Sequence, residues 1–398
     1  MARETRSDSS TAPLTTEDYV KLNARFCAPT HAPIPIVVER GHGARVWDID
    51  GNEYIDFLSA FSVVNQGHCH PRIVEAMVSQ SQKLAICTSA LQNQHYPVLC
   101  KKACELLGYD LAASMSSGSE AVDVAIKIAR KWGYNMKGIP ENKAKILTVT
   151  GKYHGKVLGP LCILGGSPGS ITGFGPILPN VGHDVLGSPI RFNCIEDIER
   201  AFEVDGDGIA AIILERVQGY GGCVPAEPGY IPAVYNLCRK HNVLFIADEI
   251  QTGFGRTGWL MSYQQEGIRP DIVILGEALT GGQYPMSMVV GDTAVMTQIK
   301  PGQPPHALNL PQCTKINVTG RGLFCALHFD ESSGSGRVMA ERLGMLLLKK
   351  GLIAIWAENR IRIAPPLVIA EEDLWKGVDI IEKSLHELAN EQGRQAAL

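Results

Sequence analysis

The sequence predicts an α/β protein, with a large domain built on a mainly parallel sheet between helices and a smaller α+β domain beside it. Three observations carry this reading. Four short apolar runs, "KILTV", "IAAIILE", "VLFIADE" and "DIVILGE", recur between about residues 110 and 291, and uninterrupted runs of that kind read as strands buried on both faces. Helical stretches such as "SEAVDVAIKIARKWGY" and "YIPAVYNLCRKH" separate them. A Pro-rich segment, "IKPGQPPHALNLPQ", then breaks the rhythm ahead of a second set of elements.

Bulk properties narrow the function classes. A chain of 398 residues exceeds what one small core organises. Its 45% hydrophobic and 20% charged residues are ordinary for a soluble globular protein. A net charge of -4 and a pI near 6.3 argue against nucleic acid and anionic membranes as general partners. No apolar run approaches the ~20 residues that a membrane helix needs. The 11 cysteines include no Cys-x-x-Cys pair, so reduced, mostly buried thiols and a cytoplasmic location are expected.

Taken in order, residues 1–16 read as a disordered tail. "IVVERGHGARVWDIDGNEYIDF" alternates around Gly41, Gly43 and Gly51, which fits two or three short antiparallel strands. Pro71 stands where a helix would start. The large domain is assigned to residues 69–300, a linker to 301–313 and a C-terminal small domain to 314–398. In that last part, "INVTGRGLFCALHF" and "LIAIWAENRIRIAPPLVI" read as strands around a helix near "VMAERLGMLLLKK". The closing "EEDLWKGVDIIEKSLHELANEQ" is an amphipathic helix whose acidic first turn suits its dipole.

Tyr153, Glu215, Asp248 and Glu277 all follow the ends of predicted strands. Ligands of open α/β sheets bind beyond the carboxyl ends of strands, so these four should converge. Ser117, Gly118 and Ser119 open a strong helix, where free N–H groups and the dipole make a phosphate cradle; Ser-x-x-Glu is equally good capping chemistry. Asp248 ends a strand that should be wholly buried, where an unpaired carboxylate costs several kcal/mol. It therefore needs a cation, either a protonated pyridine nitrogen or a structural arginine. Tyr153 could stack on a flat ring, and Arg362, on a short alternating strand, suits a substrate carboxylate. Adjacent His68, Cys69 and His70 diverge too much to read as a metal set.

Several blocks, "FSVVNQGHCHPRIV", "IARKWGY", "VLFIADEIQTG", "PDIVILG" and "RIAPPLVI", together resemble the class III, fold-type-I, pyridoxal-phosphate-dependent aminotransferases, and most closely the ornithine aminotransferases. The resemblance runs from about Pro33 to about Lys383. It implies that Gly118 and Ser119 hold the cofactor phosphate, that Tyr153 stacks on the pyridine ring and that Asp248 pairs with the ring nitrogen. It further implies that Ile250 packs on the other ring face and that Gln251 approaches the ring's phenolic oxygen. Arg362 would grip an α-carboxylate, and Glu215 lies on the strand that lines the site. A homodimer is implied, with residues 17–68 joining the small domain.

The chain departs from that pattern in four places. Where "PDIVILG" should end in the lysine that bonds the cofactor, it carries Glu277, which cannot form an imine. Two like charges about 4 Å apart at an effective dielectric of ~20 repel by roughly 4 kcal/mol, so cofactor affinity should drop on the order of a thousandfold. A Gly-Ser-Thr-Tyr-Gly-Gly-Asn-Pro-type motif and its following helix are absent after "IKPG". Tyr220 replaces a glutamate in "QGYGG", and His31 and Phe61 stand where the resemblance implies ornithine-selective tyrosines. These departures favour a cofactor-independent or noncovalently loaded enzyme using Glu277 and Asp248 for acid/base work on a small carboxylate. A silent partner of an active aminotransferase is the other reading.

Overall fold

The four apolar runs form strands at the expected places because each has no face it can expose. The computed structural model describes residues 13–30, 33–88, 90–163, 173–183, 185–299, 316–321, 323–330 and 336–395. They fall in two units, Met1–Pro301 and Gly302–Leu398. The tail through residue 12, His31 and the linker at 301–313 lie outside the described residues.

In the first unit, helix α1 (Thr16–Phe26) starts at a capping box in which Thr15 and Asp18 satisfy each other's N–H groups. Strands β1 (Val38–His42), β2 (Arg45–Asp48) and β3 (Glu53–Ile55) make the expected antiparallel meander. Helix α2 (Pro71–Ser81) begins at its proline, and α3 (Tyr96–Leu107) stops at left-handed Gly108.

The large sheet comprises β4 (Leu111–Met115), β5 (Lys145–Leu147), β6 (Val181–Gly182), β7 (Ile209–Leu214), β10 (Leu244–Asp248), β11 (Ile272–Leu275) and β12 (Ser287–Gly291). A separate two-stranded ribbon joins β8 (Val217–Gln218) and β9 (Val224–Pro225). The order across the large sheet is β4-β12-β11-β10-β7-β5-β6. β11, β10, β7, β5 and β6 run parallel, and β12 alone is antiparallel to its neighbours.

Every residue of β7, β10, β11 and β12 is buried. One sheet face packs on α4 (Gly118–Trp132) through Ala121, Val122, Ala125, Ile126 and Ala129. The other packs on α3, α5 (Ile195–Asp205) and α6 (Tyr230–Lys240) through Leu107, Phe202, Val234 and Cys238. Each methylene buried this way contributes about 0.8 kcal/mol, which fixes the strand order and points the carboxyl ends of β5, β7, β10 and β11 the same way. At the opposite end, Lys137 Nζ donates to the carbonyls of Gly206, Ile209 and His241 at 2.7, 2.8 and 3.0 Å, clamping the C-termini of α5 and α6. The expectation of mostly buried thiols holds for Cys104, Cys162 and Cys238, while Cys27, Cys69 and Cys223 are exposed.

The second unit carries a four-stranded antiparallel sheet in the order β13-β14-β16-β15. Its strands are β13 (Ile316–Arg321), β14 (Phe324–Phe329), β15 (Ile355–Ala357) and β16 (Arg360–Ile363). Helices α7 (Gly336–Lys349) and α8 (Glu371–Gln395) cover one face, around Leu327, Phe329, Leu343, Leu347, Ile361 and Leu388.

Candidate functional site

β10 delivers Asp248 to the end of a fully buried strand, where its side chain is 3% exposed. Its Oδ2 lies 2.6 Å from His154 Nδ1, and its Oδ1 accepts the Ile250 N–H at 3.0 Å. The polar partner that burial demands is supplied in this chain by an imidazole from the loop after β5, not by an arginine. Sequence reasoning missed it: His154 sits beside Tyr153 but 94 positions from Asp248. The only signal was its place just past a buried strand. His154 is 1% exposed, and its Nε2 is buried with no hydrogen-bond partner among the described residues. Such an orphan costs about 1–3 kcal/mol and marks where a further polar group would be stabilised.

Glu215 follows β7 and is 4% exposed. Its Oε2 accepts the Tyr153 N–H at 3.0 Å, and its Oε1 accepts the Gly219 N–H at 3.5 Å. Burial pushes its carboxyl up to about 7; the His154 imidazole opposes the shift and the Asp248 carboxylate adds to it. Glu215 and Asp248 are thus two carboxyls beside one histidine, at the ends of adjacent parallel strands.

Half-buried Tyr153 stacks on Tyr220, with ring centroids 5.6 Å apart and planes 27° from parallel. Burial and the Tyr220 ring both raise its phenol. Gln251 lies so close to Gly219 that a Cβ there would clash with its Oε1. The loop after β10 and the loop carrying Tyr220 are therefore in contact.

Gly118 and Ser119 form the first turn of α4 behind Ser117, whose Oγ accepts the Glu120 N–H while Glu120 takes the N–H groups of Ser116 and Ser117. The capping box expected as one alternative is thus present. It leaves the first-turn N–H groups of Gly118 and Ser119 at the positive end of the dipole. Gly155, at φ +112°, packs so tightly on Ser119 that any side chain would strike it. A Cβ on Gly118 would come within 3.0 Å of Ile250 Cδ1, and one on Gly276 within 2.8 Å of the Ile250 carbonyl. Ile250 therefore joins the α4 N-terminus to the end of β11. Glu277, partly buried, opens the short 3-10 turn Glu277–Thr280 directly after that glycine.

The remaining expected residues separate. Phe61 is 68% exposed and lies in a run, Ser59 to Ser62, whose φ angles are all positive. Left-handed backbone costs roughly 1–2 kcal/mol per residue. The run is held by Arg256, which donates to Ser59 Oγ at 3.2 Å and to Asn65 Oδ1 at 2.6 Å. Asn65 in turn donates to the Phe254 carbonyl at 3.2 Å, tying the run to the loop after Asp248. Arg362 is exposed on β16 in the second unit, and His31 is outside the described residues. Lys152 is 1% exposed, with Nζ 3.0 Å from His183 Nδ1. His68 Nε2 bonds Asp56 Oδ2 at 2.7 Å.

The Aminotransferase class-III family model matches residues 26–310. The chain belongs to the class-III aminotransferase family. An ornithine aminotransferase of Schizosaccharomyces pombe is 37% identical, over 94% of this chain and 94% of its own length. One from Emericella nidulans is 38% identical over 95% and 92%. Among solved structures, an ornithine aminotransferase from Toxoplasma gondii aligns at TM-score 0.69 and 31% identity, covering 95% of this chain and 96% of that one. An acetylornithine aminotransferase from Elizabethkingia anophelis aligns at 0.64 and 37%, covering 94% and 99%. Class-III aminotransferase architecture accounts for the mostly parallel sheet with site loops at its carboxyl edge. Among the described residues no helix is long and apolar enough to cross a membrane.

Proposed function

We infer that this protein is a repurposed class-III aminotransferase that moves protons on a small carboxylate-bearing metabolite, by isomerisation, dehydration or cyclisation, with Glu277 as acid/base. The observation that carries the reading is the buried Glu215–His154–Asp248 cluster at the ends of β7 and β10, with Glu277 following the end of the neighbouring parallel strand β11. A carboxyl pushed to about 7 can exchange a proton near neutrality. Its neighbour Asp248 holds the imidazole of His154 in place through Nδ1. Glu277, directly after the neighbouring strand β11, would take the substrate proton, and Tyr153 and Tyr220 would wall the substrate; the family resemblance assigns a substrate carboxylate to Arg362.

Pyridoxal phosphate fits the donor set in part. Gly118 and Ser119, pressed between Ile250 and Gly155, would hold its phosphate. Asp248 would face its ring nitrogen, with Ile250 and Tyr153 against the ring and Gln251 near its phenolic oxygen. Bound there without a covalent link at residue 277, it would supply an electron sink. That noncovalent use is the second reading, favoured by the cradle at the start of α4.

A homodimer completes the proposal. Ile55, Phe57, Leu58, Phe61, Leu84 and Ile86 are exposed, Phe57 at 97%. Apolar side chains bared along these two stretches suit a second copy of the chain. Such a face also suits an active relative, as the silent-partner reading requires.

The test is proton exchange. Small amino acids and dicarboxylates are incubated with the protein in D2O, and loss of C–H signal is followed by proton NMR. Exchange should disappear in Glu277→Gln and should show mainly a raised KM in Arg362→Ala. A Gln variant that exchanges as fast as the wild type would remove Glu277 from the chemistry.

A further inference from the structure

The amino ends of three neighbouring strands, β5, β7 and β10, border a cavity of about 520 Å3, at the opposite edge of the sheet from Asp248 and Glu215. Its wall is built where helices stop. α5 and α6 both end at it, and a π-helical turn, Gly133–Lys137, which extends α4, ends there on left-handed Gly138. Such turns recur at functional sites. Carbonyls left over at helix ends are negative. Lys137 answers three carbonyls at 2.7 to 3.0 Å and so uses all three of its N–H donors. Lys145 ion-pairs with Asp205. Two charges at the mouth remain. Lys143 and Asp207 are exposed and have no ion-pair partner among the described residues, Asp207 acting on Lys137 only at longer range. Register sets these two side by side: Lys145 pairs with Ile209, and each stands two residues before that pair on adjacent strands, whose axes lie about 4.8 Å apart.

We propose that this cavity binds a small α-amino acid as its zwitterion, with Lys143 taking the carboxylate and Asp207 the ammonium. A simple anion would meet Lys143 but face Asp207 across the mouth. A simple cation would meet Asp207 but face three lysines, 137, 143 and 145. A ligand that carries both signs on neighbouring atoms complements both free groups at once, each through a charge-assisted hydrogen bond. Gly138, Ile139 and Pro140 offer an apolar wall for its side chain, and nothing stands within 4 Å of where a Cβ on Gly138 would be, which leaves that wall open. Ile139 is itself 5% exposed, so the wall is anchored in the core. On the other side the His241 imidazole is held against the Phe202 ring, with centroids 4.8 Å apart. The cavity lies away from the strand carboxyl ends, so the inference does not depend on the roles given to Glu277 and Arg362.

The experiment is a saturation-transfer NMR titration of the full chain with L-alanine, propionate and ethylamine at low ionic strength, where exposed charge pairs are least screened. L-alanine should bind about fivefold more tightly than either single-charge probe, the upper range for an exposed ion pair. Lys143→Gln and Asp207→Asn should each weaken alanine by a similar factor. The first should leave ethylamine unchanged, and the second should leave propionate unchanged. Exchanging the pair, Lys143→Asp with Asp207→Lys, should recover most of the alanine affinity, because a zwitterion fits in either sense; a merely structural role for either residue would show no such rescue. Equal binding of the three probes, an alanine constant unmoved by both single variants, no recovery in the exchanged pair, or no signal with any probe would each overturn the proposal. Failure of the Glu277 chemistry leaves these constants unmoved. Alanine held at the carboxyl edge of the sheet instead would be indifferent to Lys143 and Asp207, and hydrogen exchange would then slow around Tyr153 rather than around Gly138.

Discussion

Replacing Glu215 by glutamine isolates the most perturbed carboxyl of the candidate site. In the folded protein burial raises it from an ordinary value of 4.5 to about 7. Between those values the native state holds a proton that the unfolded chain has released. Stability from this group is therefore fully present below about 4.5, falls as pH rises and is lost above about 7. At about 1.4 kcal/mol per unit, the total loss is about 3 kcal/mol. The Glu215→Gln side chain would have no proton to lose and would keep an oxygen for the Tyr153 N–H. Urea unfolding of both proteins at a series of pH values reads the difference directly. The wild type should weaken relative to the variant by about 3 kcal/mol across that interval, at close to 1.4 kcal/mol per pH unit, and by nothing more above it. A difference that stays flat across the interval would refute the argument, because Glu215 would then be ionised in the folded state as readily as in the unfolded one.

Three further outcomes follow from particular contacts. His154→Phe leaves Asp248 buried without its partner and should cost about 3–5 kcal/mol in urea unfolding, against under about 1 kcal/mol if the pair were incidental. Lys137→Met strands the carbonyls of Gly206 and His241 at two helix ends and of Ile209 at the start of β7, and should lower the unfolding free energy by about 2–3 kcal/mol, while leaving ligand binding at the far edge of the sheet unchanged. Gly155→Ala drives a Cβ into Ser119 at a φ that L-residues avoid. Pyridoxal phosphate affinity, followed by absorbance, should fall about tenfold or more, and an unchanged constant would mean that the turn does not shape the cradle.

Much of the sheet was legible because burial on both faces leaves a plain mark: β7, β10 and β11 are uninterrupted apolar runs, and their ends located Glu215, Asp248 and Glu277. The α4 start was legible as both cap and cradle because Ser117 and Glu120 are three apart. What pairs across the fold was not legible. Asp248 announced that it needed a cation, yet nothing local distinguished His154 from any other polar loop residue. Nothing local marked Lys152 as buried against His183. The left-handed run Ser59 to Ser62 contains no glycine, so its strain had no signature.

The central claim is that the pocket of an aminotransferase is retained while residue 277 no longer tethers a cofactor. Saturating the protein with pyridoxal phosphate, reducing with borohydride and mapping adducts by peptide mass spectrometry tests it most directly. The account predicts no reduced adduct on any lysine of the site, whether or not absorbance shows saturable binding. A stoichiometric adduct on Lys152 or Lys156 would contradict it, since the nucleophile would then have moved to the neighbouring loop and lysine-mediated transamination would be restored.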